Sequence, residues 1–426
     1  MMTDLQSFSQ DSRRNISLHL DIETVFFAIL FLGFCSVFTG LKVAEVASID
    51  LTPFDLACLV TAPVLITSML LKARVPYSHG FMLFVSFLLL SSVLAFAISF
   101  RNGLRELVQA IELILFAAIL IYYRGRINWD VLVKWFLFVA FIIMVYNIWW
   151  HISNGFWVGW KRLNEPKLLF TYAVPALFAL LLMRKREAGL GDYIILIGIA
   201  VLLLFSGERK AQLALLLQMF LLFLGGFLRV GVVLGAGAVI APLSIYFIST
   251  DSYLQHQLLS VLNIRDAFDF SLIDIASGQT ELTQSNAQRV FSKIVSAELI
   301  RDNSFLGVGT NGYEIYVKSQ YEGLPIFLLL GIHNEFQRIL VENGYVGLAL
   351  YCIPWLRSLA FLVLISSRRL VRPALIGSMF YVACFFQCFF ESSGLEAYLA
   401  FLVVAILPEL IKSGMRPLQR GVLGSP

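Results

Sequence analysis

Twelve times along the chain, a run of fifteen to twenty-four mostly apolar residues recurs. That repetition constrains the fold more than any single motif. A helix rises about 1.5 Å per residue, so roughly 20 residues cross the ~30 Å hydrocarbon layer of a bilayer. Backbone groups in lipid must be satisfied within the segment, which makes helices the expected form. The predicted spans are 24–41, 52–71, 80–100, 104–123, 132–150, 168–183, 192–206, 210–228, 230–249, 339–362, 373–391 and 394–411. Composition agrees: 59% of residues are hydrophobic and 14% are charged, with a mean hydropathy of +0.81. A soluble domain has about 45–50% apolar residues. The expected fold class is an all-α polytopic membrane protein of about twelve transmembrane helices with one large outer loop. A net charge of +4 gives no reason to expect a nucleic-acid partner.

Basic residues orient the spans. With the N-terminus in the cytoplasm, the inner segments carry Arg13, Arg14, Lys72, Arg74, Arg124, Arg126, Arg184, Lys185, Arg186, Arg229, Arg368, Arg369, Arg372, Lys412, Arg416 and Arg420. The short outer loops are poorer. Exceptions are Arg101 with Arg105, then Lys161, Arg162 and Lys167, then Arg209 with Lys210. Outer cations either snorkel to headgroups or bind an anion. The predicted organisation is a cytoplasmic segment 1–23, helices 1–9 over 24–249, an outer loop over 250–336, helices 10–12 over 337–412 and a cytoplasmic tail 413–426. The first span is long for a signal sequence and further spans follow, so it reads as an anchor rather than a cleaved leader.

Cys35, Cys58, Cys352, Cys384 and Cys388 all lie in apolar segments, so no disulfide framework is expected. Cys384 and Cys388 stand one helical turn apart with no histidine near in sequence, and read as small core residues rather than a metal pair. No internal repeat or matching pair of broken spans is found, which weakens a repeat-built transporter.

The long hydrophilic stretch 250–336 is the informative part. Leu258–Leu262 and Leu272–Ile275 read as short helices and turns. Ser285 is the expected N-cap of a helix that continues through Val290–Ala297. Gly307-Val-Gly-Thr-Asn-Gly312 matches G-x-G-x-x-G. A dinucleotide site would need a preceding strand and a cytoplasmic address. Neither is expected, so the segment reads as a glycine-rich turn into a helix with Tyr313, Tyr316 and Tyr321. His333-Asn334 then sits where the chain re-enters the membrane. A near-neutral pKa suits this histidine to act as a general base on a hydroxyl, against the commoner structural role of a lone histidine. Arg209, in Ser206-Gly-Glu-Arg-Lys210 at a span junction, offers the rigid donor fork that fits phosphate oxygens. Helix N–H groups there would add to an anion site. The bland alternative is a snorkelling or Glu208-paired arginine. Arg289, in the large loop, is either a solvated surface residue or a second phosphate ligand.

The order Ser-Gly-Glu-Arg at a span junction, Arg289, a Gly-x-Gly turn, His333-Asn334 and Glu342-Asn-Gly-Tyr-Val-Gly347 resembles the O-antigen ligase/polymerase superfamily. The resemblance covers topology throughout, and sequence motifs over about 206–212 and 285–350. It implies a bacterial inner-membrane, multi-pass enzyme, similar to the GT-C class of glycosyltransferases, with its active site facing the periplasm. The implied donor is an undecaprenyl-diphosphate-linked glycan; no metal or other cofactor is implied. Carried over, Arg289 and Arg209 match the diphosphate-binding arginines and His333 matches the acceptor-activating histidine. Lys210, Glu208, Asn334 and Tyr313 are the further expected substrate contacts. Lys161, Arg162 and Asn164 resemble a basic loop found early in the family. The first motif departs from the common Ser-x-Ser-Arg in carrying Glu208, which either pairs with Arg209 or orients the sugar. The preferred reading is polymerisation of repeat units onto a lipid-linked acceptor. The alternative within the family is ligation to lipid A core. A transporter or flippase is the rival class, with Lys134 and Arg357 as its ionisable candidates. A non-catalytic assembly partner is a third reading.

Overall fold

The structure, a computed structural model, describes residues 22–37, 43–46, 49–71, 78–123, 129–153, 167–184, 189–205, 209–227, 284–326, 328–329, 331–367, 371–390 and 394–422. The expected span 230–249, the first part of the outer loop to residue 283, residues 1–21 and the end of the tail lie outside the described residues.

Eleven of the expected spans are helices: α1 (Ile22–Val37), α2 (Pro53–Leu71), α3 (His79–Ile98), α4 (Phe100–Tyr123), α5 (Trp129–Ser153), α6 (Lys167–Met183), α7 (Leu190–Phe205), α8 (Arg209–Leu224), α11 (Glu335–Ser367), α12 (Val371–Phe390) and α13 (Gly394–Val422). Between α8 and α11 stand α9 (Gln284–Asp302) and α10 (Gly312–Gln320). One feature was not expected: a small antiparallel hairpin, β1 (Ala44–Val46) with β2 (Ile49–Leu51), joins α1 to α2 and pairs Glu45 with Asp50.

By length and composition, α2, α3, α11 and α12 can each cross a membrane, and shorter apolar helices accompany them. Their outward faces are apolar too. Leu59, Val93 and Leu216 are 73%, 65% and 62% exposed. A helix apolar on all sides belongs in lipid or a large core, so this is a multi-pass membrane protein. Its interior is knit by aromatic rings. Tyr351 stacks on Phe401 at 4.3 Å, and Phe87 and Phe336 meet the pair edge-on or tilted, with centroids near 5.3 Å. Offset and edge-to-face pairs add about 0.5–1.5 kcal/mol each beyond the area they bury.

Turns are tight where sequence allows. Only Ser99 separates α3 from α4. Its N–H donates to Ala95 O at 3.2 Å, closing α3, and its Oγ accepts from Asn102 N at 3.2 Å, opening α4. Arg101, expected in the loop between two spans, therefore lies with Arg105 in the first turns of α4. Ser285 falls inside α9 rather than at its cap, because the helical turn already begins at Gln284. Helix α11 begins at Glu335, four residues before the expected boundary, and α13 continues past the expected 411 to Val422.

The two ionisable residues noted for a transport path are both paired. Arg357 donates to Glu409 Oε1 at 2.5 Å and to Ala405 O at 3.1 Å. Lys134 pairs with Asp130, which also accepts from Arg184 Nε at 2.7 Å.

Candidate functional site

The segment 303–311 and the start of α11 clasp each other. Val308 N donates to Val341 O and Gly309 N to Glu342 O, both at 2.9 Å. In return Tyr345 N donates to Ser304 O at 2.9 Å and Val346 N to Phe305 O at 3.3 Å. These bonds are available because α11 breaks at Gly344, where φ is 64° and ψ is −166°. Few residues other than glycine adopt that conformation. The break frees backbone groups and the loop satisfies them. The two motifs singled out in sequence, Gly307–Gly312 and Glu342–Gly347, are thus halves of one joint. The glycine-rich segment is a turn into α10, as expected, with Tyr313 and Tyr316 on that helix and Tyr321 at its C-cap.

Side chains lock the joint to the bundle. Thr310, fully buried, donates to Ser91 O at 2.9 Å and accepts from Asn343 Nδ2 at 3.0 Å. Asn311 Nδ2 donates to Glu106 Oε1 at 3.1 Å, and Tyr398 donates to Glu106 Oε2 at 3.3 Å. Arg338 forms a two-pronged pair with buried Glu335, at 2.5 and 2.9 Å, and reaches Glu342 at 2.9 Å. Its guanidinium lies 5.7 Å from the centre of the Tyr398 ring. Buried carboxylates are tolerated when paired and hydrogen-bonded in this way. None of Glu106, Glu335 or Arg338 was singled out from sequence. The spacing 335, 338, 342 on one helix was the available signal.

Helices α9 and α10 have a core of their own, built from Val290, Phe291, Val295, Leu299, Tyr313 and Val317 with Leu328, Ile332 and Val341. It fixes the segment around His333. Asn334 caps α11: its Oδ1 accepts from Gln337 N at 3.0 Å. Gln337 Nε2 then reaches back to α9, donating to Ser292 O at 3.3 Å and Ser296 Oγ at 2.8 Å. His333 Nε2 lies 2.7 Å from Gln288 Oε1 on α9. Arg289, half-buried, is the next residue. Gln288, which sequence reading passed over, falls four and eight residues before Ser292 and Ser296 and so shares their face of α9.

Arg209 is the first residue of α8. The other end of that helix is anchored at the start of α12, where Arg372 sits over the Phe227 ring at 5.2 Å. Three residues separate the start of α12 from the end of α11, so α12 begins at the bundle end opposite His333. Running toward that end, α8 must begin at the His333 end. Arg209, Arg289 and His333 therefore belong to one end of the molecule. Arg209 and Lys210 are placed by backbone only; their side chains, with Glu208, Lys161 and Arg162, lie outside the described residues. Tyr313 is 1% exposed, and among the described residues its hydroxyl has no hydrogen-bond partner. Burial, with Tyr321 nearby, pushes its phenol up. Those are the properties of a core residue.

An apolar cavity of about 300 Å³ lies between α1, α4, α5, α6, α12 and α13, lined by Phe34, Phe116, Phe136, Met183, Ile376 and Leu410 among others. The first turns of α12, the first turns of α5 and the middle turns of α13 form part of its wall, which puts it toward the end away from His333.

Fold and site together define a multi-pass helical membrane protein that holds a histidine between a helical layer and the re-entry of the chain into the bundle. Residues 194–352 match the family model for O-antigen ligase. That stretch runs from α7 into α11 and contains Arg209, Arg289, His333 and the clasp at Gly344. The match supports the O-antigen ligase/polymerase superfamily, a superfamily of enzymes. No curated protein matches the chain.

Proposed function

We propose that the protein transfers a glycan from undecaprenyl diphosphate to an acceptor hydroxyl at the periplasmic face of the bacterial inner membrane. One observation supports this most: His333 is held against α9 by Gln288, the residue before Arg289, at the end of the bundle where Arg209 opens α8. The match over 194–352 supports the class of reaction. In this reading the arginines neutralise charge building on the leaving diphosphate, the term that usually dominates such catalysis. His333 takes the proton from the acceptor hydroxyl. The hydroxyl oxygen bonds to the anomeric carbon as the bond to the diphosphate breaks, and the electron pair leaves with the diphosphate. An in-line displacement of this kind inverts that carbon, and the diphosphate is a good enough leaving group to need no metal. The full reading keeps twelve spans in a GT-C-like arrangement, with the lipid tail among apolar helix faces.

Polymerisation onto a second lipid-linked repeat unit is the preferred reaction, and ligation to lipid A core is the alternative. Purified protein in detergent, given a lipid-linked glycan and acceptor, tests the enzyme against a transporter, because catalysis there needs no sealed compartment. His333→Ala and Arg289→Ala are expected to insert normally and lose most product. Full activity in His333→Ala would remove the general-base role, and a tolerated Arg289→Lys would remove the two-pronged phosphate clamp. In a strain lacking the gene, core bearing a single repeat with no ladder means polymerase. Bare core with polymer held on the lipid carrier means ligase.

A further inference from the structure

We propose that Gln288 is a positioning residue that fixes the tautomer of His333, so that Nδ1 is the ring nitrogen that accepts the proton. The inference rests on His333 being the base. Gln288 is buried, and its amide is oriented by a second bond: Nε2 donates to Gly331 O at 3.2 Å. A backbone carbonyl can only accept, so the amide nitrogen must face Gly331 and the amide oxygen must face the histidine. That oxygen, 2.7 Å from His333 Nε2, can only accept as well. Nε2 therefore carries the hydrogen. A neutral imidazole has one N–H, which leaves the lone pair on Nδ1. When the proton arrives, Nδ1 gains it and Nε2 keeps its own, and the Gln288 dipole stabilises the cation without taking a proton.

The surroundings hold this geometry. Gln288, Ser292 and Ser296 lie on one face of α9, and Gln337 ties the latter two to the first turn of α11. The Asn334 cap fixes the backbone next to His333. Asp and Glu orient histidines in many enzymes; an amide orients the ring without adding a negative charge beside it.

Two measurements test the proposal on the full chain in nanodiscs. The first is the ring-nitrogen and Cδ2 NMR signature of His333, assigned by its loss in His333→Ala. A neutral ring protonated at Nε2 is expected, and protonation at Nδ1 overturns the assignment. The second is the pH dependence of glycan transfer. Gln288→Glu keeps an acceptor at Nε2 but adds a negative charge, which favours the imidazolium. The acidic limb of kcat is expected to move up by about one pH unit or more. Gln288→Leu removes the acceptor and is expected to lower kcat at least tenfold with KM for the donor little changed. The charged neighbours, Arg289 and Lys293 on α9 and paired Glu335 and Arg338 on α11, are the same in every variant. If His333→Ala is fully active, the base reading fails. If His333→Ala is inactive while Gln288→Glu keeps the wild-type pH limb, the base reading stands and the role of Gln288 falls.

Discussion

Replacing Gly344 by alanine should release the clasp between α11 and the 303–311 turn. A Cβ there would lie 2.2 Å from Phe305 O, 2.4 Å from Phe305 C and 2.6 Å from Leu306 N. All three are backbone atoms, so no flexible side chain can swing away. Holding a non-glycine residue near φ 64°, ψ −166° costs about 1–3 kcal/mol. Forcing the two backbone segments apart costs about 1–3 kcal/mol more, by analogy with overpacked cores. It also strains the bonds from Tyr345 N to Ser304 O and from Val346 N to Phe305 O. The sum is roughly 2–6 kcal/mol, enough to lower the apparent Tm by several degrees. The assay is thermal unfolding in nanodiscs, with Gly191→Ala as control. A Cβ at Gly191, inside α7, meets nothing within 4 Å, so that variant should be neutral or up to about 1 kcal/mol more stable. A Gly344→Ala protein that melts with wild type would show that the joint yields freely, and the argument for a fixed His333 segment would fail with it.

Other outcomes follow from the same packing. Arg338→Met leaves Glu335 and Glu342 without their partner and should cost about 3–5 kcal/mol, whereas Arg301→Ala, whose exposed pair with Asp302 does little, should stay within about 0.5 kcal/mol; thermal unfolding of the two variants compares them directly. Tyr313→Phe removes a buried hydroxyl that has no hydrogen-bond partner among the described residues and should leave transfer unchanged while adding up to about 1 kcal/mol of stability; a tenfold loss of product would instead give that hydroxyl a substrate contact. Gln218 bridges α8 to α6 and α12 by donating to Thr171 O at 3.0 Å and Met379 O at 3.2 Å, so Gln218→Leu should cost about 1–3 kcal/mol in the same assay.

Hydropathy along the chain was enough to read most of the helical elements and the order of the candidate site residues. Hydropathy and the needs of backbone groups in lipid act over twenty neighbouring residues, so α2, α3, α11 and α12 could be read without knowing their partners. The placing of His333-Asn334 ahead of a new helix was legible for the same reason: polar sequence stops and apolar sequence begins. What surrounds that histidine comes from packing between distant segments. Gln288 reaches it across 45 residues of chain, and Glu106 meets Asn311 across 205 and Tyr398 across 292. Such partners have no signature in local periodicity, because any buried amide or carboxylate near the right helix face could serve. Gly344 shows the division most clearly. Its place in a Glu-Asn-Gly motif could be seen in the sequence, but its need to be glycine comes from a backbone carbonyl at Phe305 that only the folded chain brings within 2.2 Å of its missing side chain.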